Sequence, residues 1–171
     1  DTPAFVANTQ LQMLAALAHE TDIASLPDLL PEAMAIVRER LSVLKRREVP
    51  LEELVVTQTL SRGLDEYSVL SSAAIAARQL RARGKVLKMG QRVRFIYTSQ
   101  GPGVLAWDLL STHGGGPPPL DRRAIDVPRY RELLLRAVYE ILQPLGLTEG
   151  LLPPLKPIPI KERVSVIFVE R

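Results

Sequence analysis

The chain has 171 residues, 46% of them hydrophobic, and its 22 basic and 19 acidic side chains leave a formal net charge of +3. That length suits one domain or two small lobes with a real core, and no apolar run reaches the ~20 residues a membrane span needs. Cysteine is absent, which excludes disulfides and thiolate nucleophiles and removes the commonest structural zinc ligands. His19 and His113 lie far apart and neither has a partner at ligand spacing, so neither a metal centre nor a Ser/His triad is expected. The opening DTPAFVANTQ has no initiator Met and no basic segment ahead of an apolar core. It reads as the start of a fragment rather than a secretory signal, and the expected location is cytoplasmic.

Thr2-Pro3 has the pattern of an N-cap followed by proline at the first helical position. Val6, Met13, Leu14 and Leu17 then share one face of a first helix ending near His19. Asp28 to Pro31 leads into a second helix, with Met34, Val37, Leu41 and Leu44 inward and Pro50 as its stop. LVVTQTLS (54–61) is rich in β-branched residues and suits a short strand or extended segment. A third helix is expected over 71–83, with Gly84 just beyond it as C-cap and Gly90 as a turn. RVRFIYT (92–98) alternates basic and apolar residues, and GVLAWDLL (103–110) pairs with it as a hairpin across SQGPG. GGGPPP (114–119) is a loop. PRYRELLLRAVYEILQPLG is the clearest helix, with Tyr130, Leu134, Ala137, Val138, Ile141 and Leu145 inward and Gly146 at its end. The tail is proline-rich over 153–159, and VSVIFVE (164–170) reads as a strand with no evident partner. The fold class is therefore mostly α with a small β element (α+β).

The charge is unevenly spread. RQLRARGKVLKMGQRVR (78–94) holds seven cations and no acid. Cations in the last turns of a helix are favoured by its dipole, and Arg92 and Arg94 alternate along a strand as a wet face would. Each half is thus explicable without a partner. Together, Arg78 and Arg81 lie about 60° apart on one helix face, Gly84 turns the chain into Lys85 and Lys88, and no acid within the stretch neutralises them. Such a patch binds polyanions, the nucleic-acid backbone being the usual one. Little aromatic interleaving makes duplex backbone contact the better reading over base stacking.

Spaced across this region are Leu60-Ser61-Arg62, Tyr67, Ala77, Leu80, Arg83, Gly84, Gly90 and Phe95. That ungapped series resembles the thumb region of family B DNA polymerases (DNA polymerase II-like). Those enzymes show a Leu-(Thr/Ser)-(Lys/Arg) step, a Tyr five residues after the basic residue, an Ala-x-x-Leu-x-x-(Arg)-Gly helix end and a second Gly before an aromatic-bearing strand. IDVPRYRELLLRAVYEILQPLG is similar to the last thumb helix, so the resemblance covers about residues 1–146. The chain departs from the family at Ser72-Ala73, where members commonly carry a Pro-His pair. It also lacks the Gln-x-x-Leu-x-x-aromatic-aromatic ending by which many members bind a sliding clamp.

The resemblance implies a helical thumb-like domain with an inserted hairpin. Residues 1–50 would lead from the palm, 51–146 would form the thumb core with its basic patch and final helix, and 147–171 would be a tail. It also implies that the chain holds a primer–template duplex through phosphate and minor-groove contacts. Thr59, Ser61 and Arg62 are the phosphate donors expected on the extended segment, with Arg78, Arg81, Arg83, Lys85 and Lys88 as a charged wall. Tyr67, Gly84 and Gly90 have structural roles. No catalytic residue or cofactor is expected here, because the family's Tyr-x-Asp-Thr-Asp palm segment does not occur and Mg2+ belongs to the parent's palm. The chain should not polymerise alone. Expected partners are primer–template DNA and the other polymerase domains, with no membrane. Two alternatives stay open: a free-standing thumb-derived interaction module, or an unrelated helical protein that binds nucleic acid.

Overall fold

The computed structural model describes residues 2–20, 22–110 and 120–148, the side chains of residues 109 and 110 apart. The loop expected over 114–119 and the tail strand over 164–170 lie outside the described residues. The chain is mostly helical with one three-stranded sheet, and it divides into two compact units. One comprises residues 4–53 and 127–148, the other residues 2–3, 54–110 and 120–126.

The first unit is helical. Helix α1 (Ala4–Leu17) buries Phe5, Val6, Met13 and Leu17. Leu14, expected on that face, is 47% exposed instead, because a step of one residue from Met13 turns the side chain about 100° away. Thr9 is fully buried and satisfied locally, its hydroxyl donating to Phe5 O at 2.8 Å. Helix α2 (Leu26–Lys45) buries Leu30, Met34, Val37 and Leu44. It begins before Asp28, since a 3-10 turn over Ile23–Ser25 leads straight into it. Asp22 caps that 3-10 turn, accepting from Ala24 N–H at 3.0 Å, while Ser25, at the N-cap of α2 itself, makes no side-chain cap bond. Pro31 is inside the helix, where its missing N–H forfeits one early bond without breaking the second turn.

Helix α5 (Val127–Leu142; α3 and α4 belong to the other unit) contributes Tyr130, Leu134, Val138 and Leu142 to the same core. It is tied to α1 by Gln10 Nε2 donating to Ala137 O at 3.1 Å. Leu145 was expected inward with this helix and is 36% exposed, because the last turn tightens to a 3-10 turn over Gln143–Leu145 before Gly146 at φ +71°.

The second unit carries the sheet, antiparallel in the order β1-β2-β3: β1 (Val56–Thr59), β2 (Arg92–Tyr97) and β3 (Val104–Ala106). The register sets Val56 opposite Phe95 and Thr59 opposite Arg92, and Phe95 opposite Ala106. The expected hairpin is therefore β2–β3, and LVVTQTLS adds a strand on the other side of β2. Trp107–Leu110, expected to continue the hairpin, turns into a short helix, α4. Period-2 alternation sends Val93 and Phe95 inward and leaves Arg92 and Arg94 exposed. Phe95 and Tyr97 add an edge-to-face ring contact at 5.4 Å.

Helix α3 (Ser72–Ala82) packs on β2 and β3 through Ala73, Ala74, Ala76, Ala77 and Leu80. Four alanines let the helix approach closely. Gln79 then closes the sheet's edge: its amide donates to Val104 O at 2.9 Å and accepts Ala106 N–H at 2.8 Å, standing in for the peptide of a fourth strand. At the other end of β2, Thr98 bridges to Ile125 and Asp126 N–H donates to Tyr97 O at 3.1 Å.

Candidate nucleic-acid interface

The basic stretch is laid out by the C-cap of α3. Gly84 has φ +88°, and the bonds Gly84 N–H to Arg81 O (2.9 Å) and Lys85 N–H to Leu80 O (3.0 Å) complete a Schellman motif. Lys85, Val86, Lys88 and Met89 follow on the surface, with Leu87 buried beneath them. The chain then turns at Gly90, φ +86°, where Gln91 N–H returns to Lys88 O at 3.1 Å.

This turn lies beside the end of β1. Leu60 N–H donates to Gln91 O at 2.9 Å and Gly90 N–H donates to Leu60 O at 2.8 Å. Backbone pairing therefore gathers Thr59, Ser61, Arg62, Lys88 and Arg92, all exposed, at one end of the sheet. Tyr67 supports the outgoing segment. Its ring is half-buried, its hydroxyl accepts Arg62 N–H at 3.3 Å, and Ser61 Oγ lies 3.3 Å from the same oxygen. Ser61 thus shares its hydroxyl with Tyr67 before any ligand arrives.

The expectation that the cations meet no acid is corrected by the tertiary structure. Asp65, outside the basic stretch, accepts from Arg81 at 3.1 Å. Asp108, from α4, takes Arg94 at 2.5 Å and Lys85 at 3.5 Å, with its side chain 21% exposed. These acids are 16 and 14 residues from Arg81 and Arg94 in sequence, beyond the reach of a local charge count. The Arg81–Asp65 pair is exposed and worth about 0–1 kcal/mol, so a phosphate can displace it. Asp108 is shared by two cations and holds them more firmly.

Among the described residues, Arg62, Arg78, Arg83, Lys88 and Arg92 have no ion pair. Arg78 and Arg83 stand on α3 and its cap, and no hydrogen bond among the described residues links them to the strand end. The expected wall is therefore three groups: a strand-end cluster, a helix-end pair, and a set around Asp108. Arg92 was left aside by sequence reading as a solvent-facing residue, and its pairing opposite Thr59 brings it into the first group.

A second group of cations is brought together only by the fold, since Arg38 and Lys45 read in sequence simply as the polar faces of the second helix and Arg131 lies far away on another. In the helical unit, Arg38, Lys45 and Arg131 border an open groove of about 780 Å³ floored by Leu41, Leu44, Val127 and Pro128. The seven-residue spacing of Arg38 and Lys45 on one helix was the available signal. Further along, the Arg123 backbone N–H donates to Asp121 at 2.9 Å and, with the Arg123 charge and side chain, holds that carboxyl below the usual aspartate range against slight desolvation. Among the described residues, no three His, Asp or Glu side chains converge as metal ligands would, and no described helix is long and apolar enough to cross a membrane.

Against known proteins, the family model described as DNA polymerase family B matches residues 1–145. The chain belongs to DNA polymerase family B. Among curated relatives, the DNA polymerase of Desulfurococcus sp. (strain Tok) is 33% identical over 95 residues, 56% of this chain and 11% of that protein. The DNA polymerase of Pyrococcus horikoshii is 30% identical over 116 residues, 67% of this chain and 9% of that protein. The solved family B DNA polymerase of Pyrobaculum calidifontis has the same fold over 90% of this chain and 18% of its own, with a TM-score of 0.65 and 21% identity. The chain thus spans between 5% and 18% of the length of the polymerases it resembles.

Proposed function

We propose that this chain is the thumb of a family B DNA polymerase and that its sheet-bearing unit holds the primer–template duplex behind an active site supplied by the palm. The observation that carries this is the strand-end cluster: Arg62, Lys88 and Arg92, without ion pairs among the described residues, set among the Thr59 and Ser61 hydroxyls by backbone pairing. Donors in that arrangement suit phosphate oxygens, which fix position without reading sequence. Arg78, Arg83, Arg81 and Lys85 extend the positive surface, the last two after giving up Asp65 and Asp108.

In this reading the thumb contributes placement. A duplex held in register keeps the primer end in line for attack, while Mg2+ and its carboxylates belong to the palm. The domain roles follow: residues 1–50 lead from the palm, 51–146 form the thumb core and 147–171 are a tail. The protein works in DNA replication or repair in the cytoplasm, with duplex DNA and the other polymerase domains as partners.

Fluorescence anisotropy with a labelled primer–template duplex tests this. Three phosphate contacts give a slope of log affinity against log salt of about −2.7, and Arg62→Ala with Arg92→Ala flattens it by about 1.8. A folded chain whose duplex binding is absent at low salt, or independent of salt, overturns the proposal.

A further inference from the structure

Phosphate binding accounts for the cations of the strand-end cluster but not for what stands among them. Met89 is 68% exposed, and Val86 nearby is 66% exposed. Single exposed apolar residues are ordinary. Met89 differs in its setting, at the tip of a turn whose backbone is held from three sides. Gln91 N–H donates to Lys88 O at 3.1 Å, Lys88 N–H donates to Gln91 Oε1 at 2.7 Å, and Gly90 N–H donates to Leu60 O at 2.8 Å. Gly90 at φ +86° occupies the left-handed position that such a turn demands. The tip is thus preorganised, and it presents a flexible thioether to solvent.

Around it, Lys88 precedes it in the turn, Arg92 follows on the strand, and Arg62 lies on the segment paired to Gly90. None has an ion pair among the described residues. A partner fitting this surface offers anionic groups on both sides of a strip that accepts an apolar side chain. The duplex minor groove is such a surface: it is about 6 Å wide between its phosphate walls, and proteins place apolar side chains there, methionine among them. An unbranched, polarizable side chain adapts to so narrow a space.

We propose that Met89 enters the minor groove of the bound duplex while Lys88, Arg62 and Arg92 take phosphates along its rims. This rests on the duplex-holding reading and adds to it an uncharged, salt-independent contact. The two kinds of contact separate in one experiment, which measures affinity of the 171-residue chain for an A·T-rich primer–template across a salt series. Lys88→Ala should flatten the slope by about 0.9. Met89→Ala should leave the slope unchanged and weaken binding by about tenfold at every salt concentration, two buried methylene groups' worth. That displacement should vanish on the same duplex with netropsin filling its minor groove. Circular dichroism should be unaltered, since the substituted side chain is exposed.

If the Met89→Ala line coincides with wild type while Lys88→Ala flattens it, the insertion is refuted and the duplex-holding reading stands. A displacement that survives netropsin places the contact outside the minor groove and also refutes it. If the folded wild-type chain shows no salt-dependent duplex binding, or binds polyglutamate as tightly, the duplex-holding reading falls and this inference with it.

Discussion

Gln79→Met tests how the basic stretch is held against the sheet. The substitution keeps length and apolar bulk but removes both hydrogen bonds to β3, at 2.9 Å and 2.8 Å. Val104 C=O and Ala106 N–H face the sheet's free edge in a half-buried setting, so neither recovers full solvation. A net hydrogen bond contributes about 0.5–1.5 kcal/mol, while leaving a buried group unsatisfied costs about 1–3 kcal/mol. With two groups only partly shielded, the lower ends of both ranges apply, and the expected loss is about 2–3 kcal/mol. Urea denaturation followed by circular dichroism reads this directly. Hydrogen exchange should show Ala106 N–H losing protection before the α1–α2–α5 core does, because the damage is confined to one edge. Gln79→Glu should be as harmful, since it keeps the acceptor for Ala106 N–H but sets a carboxylate against Val104 O. A loss below about 1 kcal/mol, or unchanged protection at Ala106, would refute the idea that Gln79 completes the sheet.

Asp108→Asn should release Lys85 and Arg94, steepening the salt slope of duplex binding by up to about 1.8 and tightening binding at low salt. A slope equal to wild type would show that these cations face away from the DNA. Gly84→Ala meets no atom within 4 Å but keeps φ +88°, so it should cost about 1–2 kcal/mol in backbone strain alone, read as a lowered urea midpoint. Asp121 should titrate by NMR with a midpoint below the ordinary aspartate value. Its stabilising effect is present above the unfolded-chain pKa and is lost as pH falls through the lowered native one. Arg123→Ala should leave most of that depression in place, because the backbone N–H is its largest cause.

Much of this protein was legible because the signals are local. The span of α3, the Gly84 and Gly146 stops and the alternation of Arg92, Val93, Arg94 and Phe95 depend on backbone geometry within a few residues. The sequence therefore defined most helices, the strand pair and the mostly-α class, and the spacing from Leu60 to Phe95 carried the polymerase resemblance. It misplaced the start of α2 because the 3-10 turn over Ile23–Ser25, which leads straight into the helix at Leu26, leaves no periodic signal of its own. It placed Leu14 and Leu145 inward because periodicity does not say where a core ends. Tertiary structure alone decided which cations are neutralised: Asp65 and Asp108 reach Arg81, Lys85 and Arg94 through the packing of separate elements. The strand-end cluster likewise exists because β1 pairs with β2 across the whole of α3, bringing Thr59 to Arg92 and Leu60 to Gly90. Charge along a chain is counted in sequence, but its field is set by distance in space, and that distance is fixed only when the sheet closes.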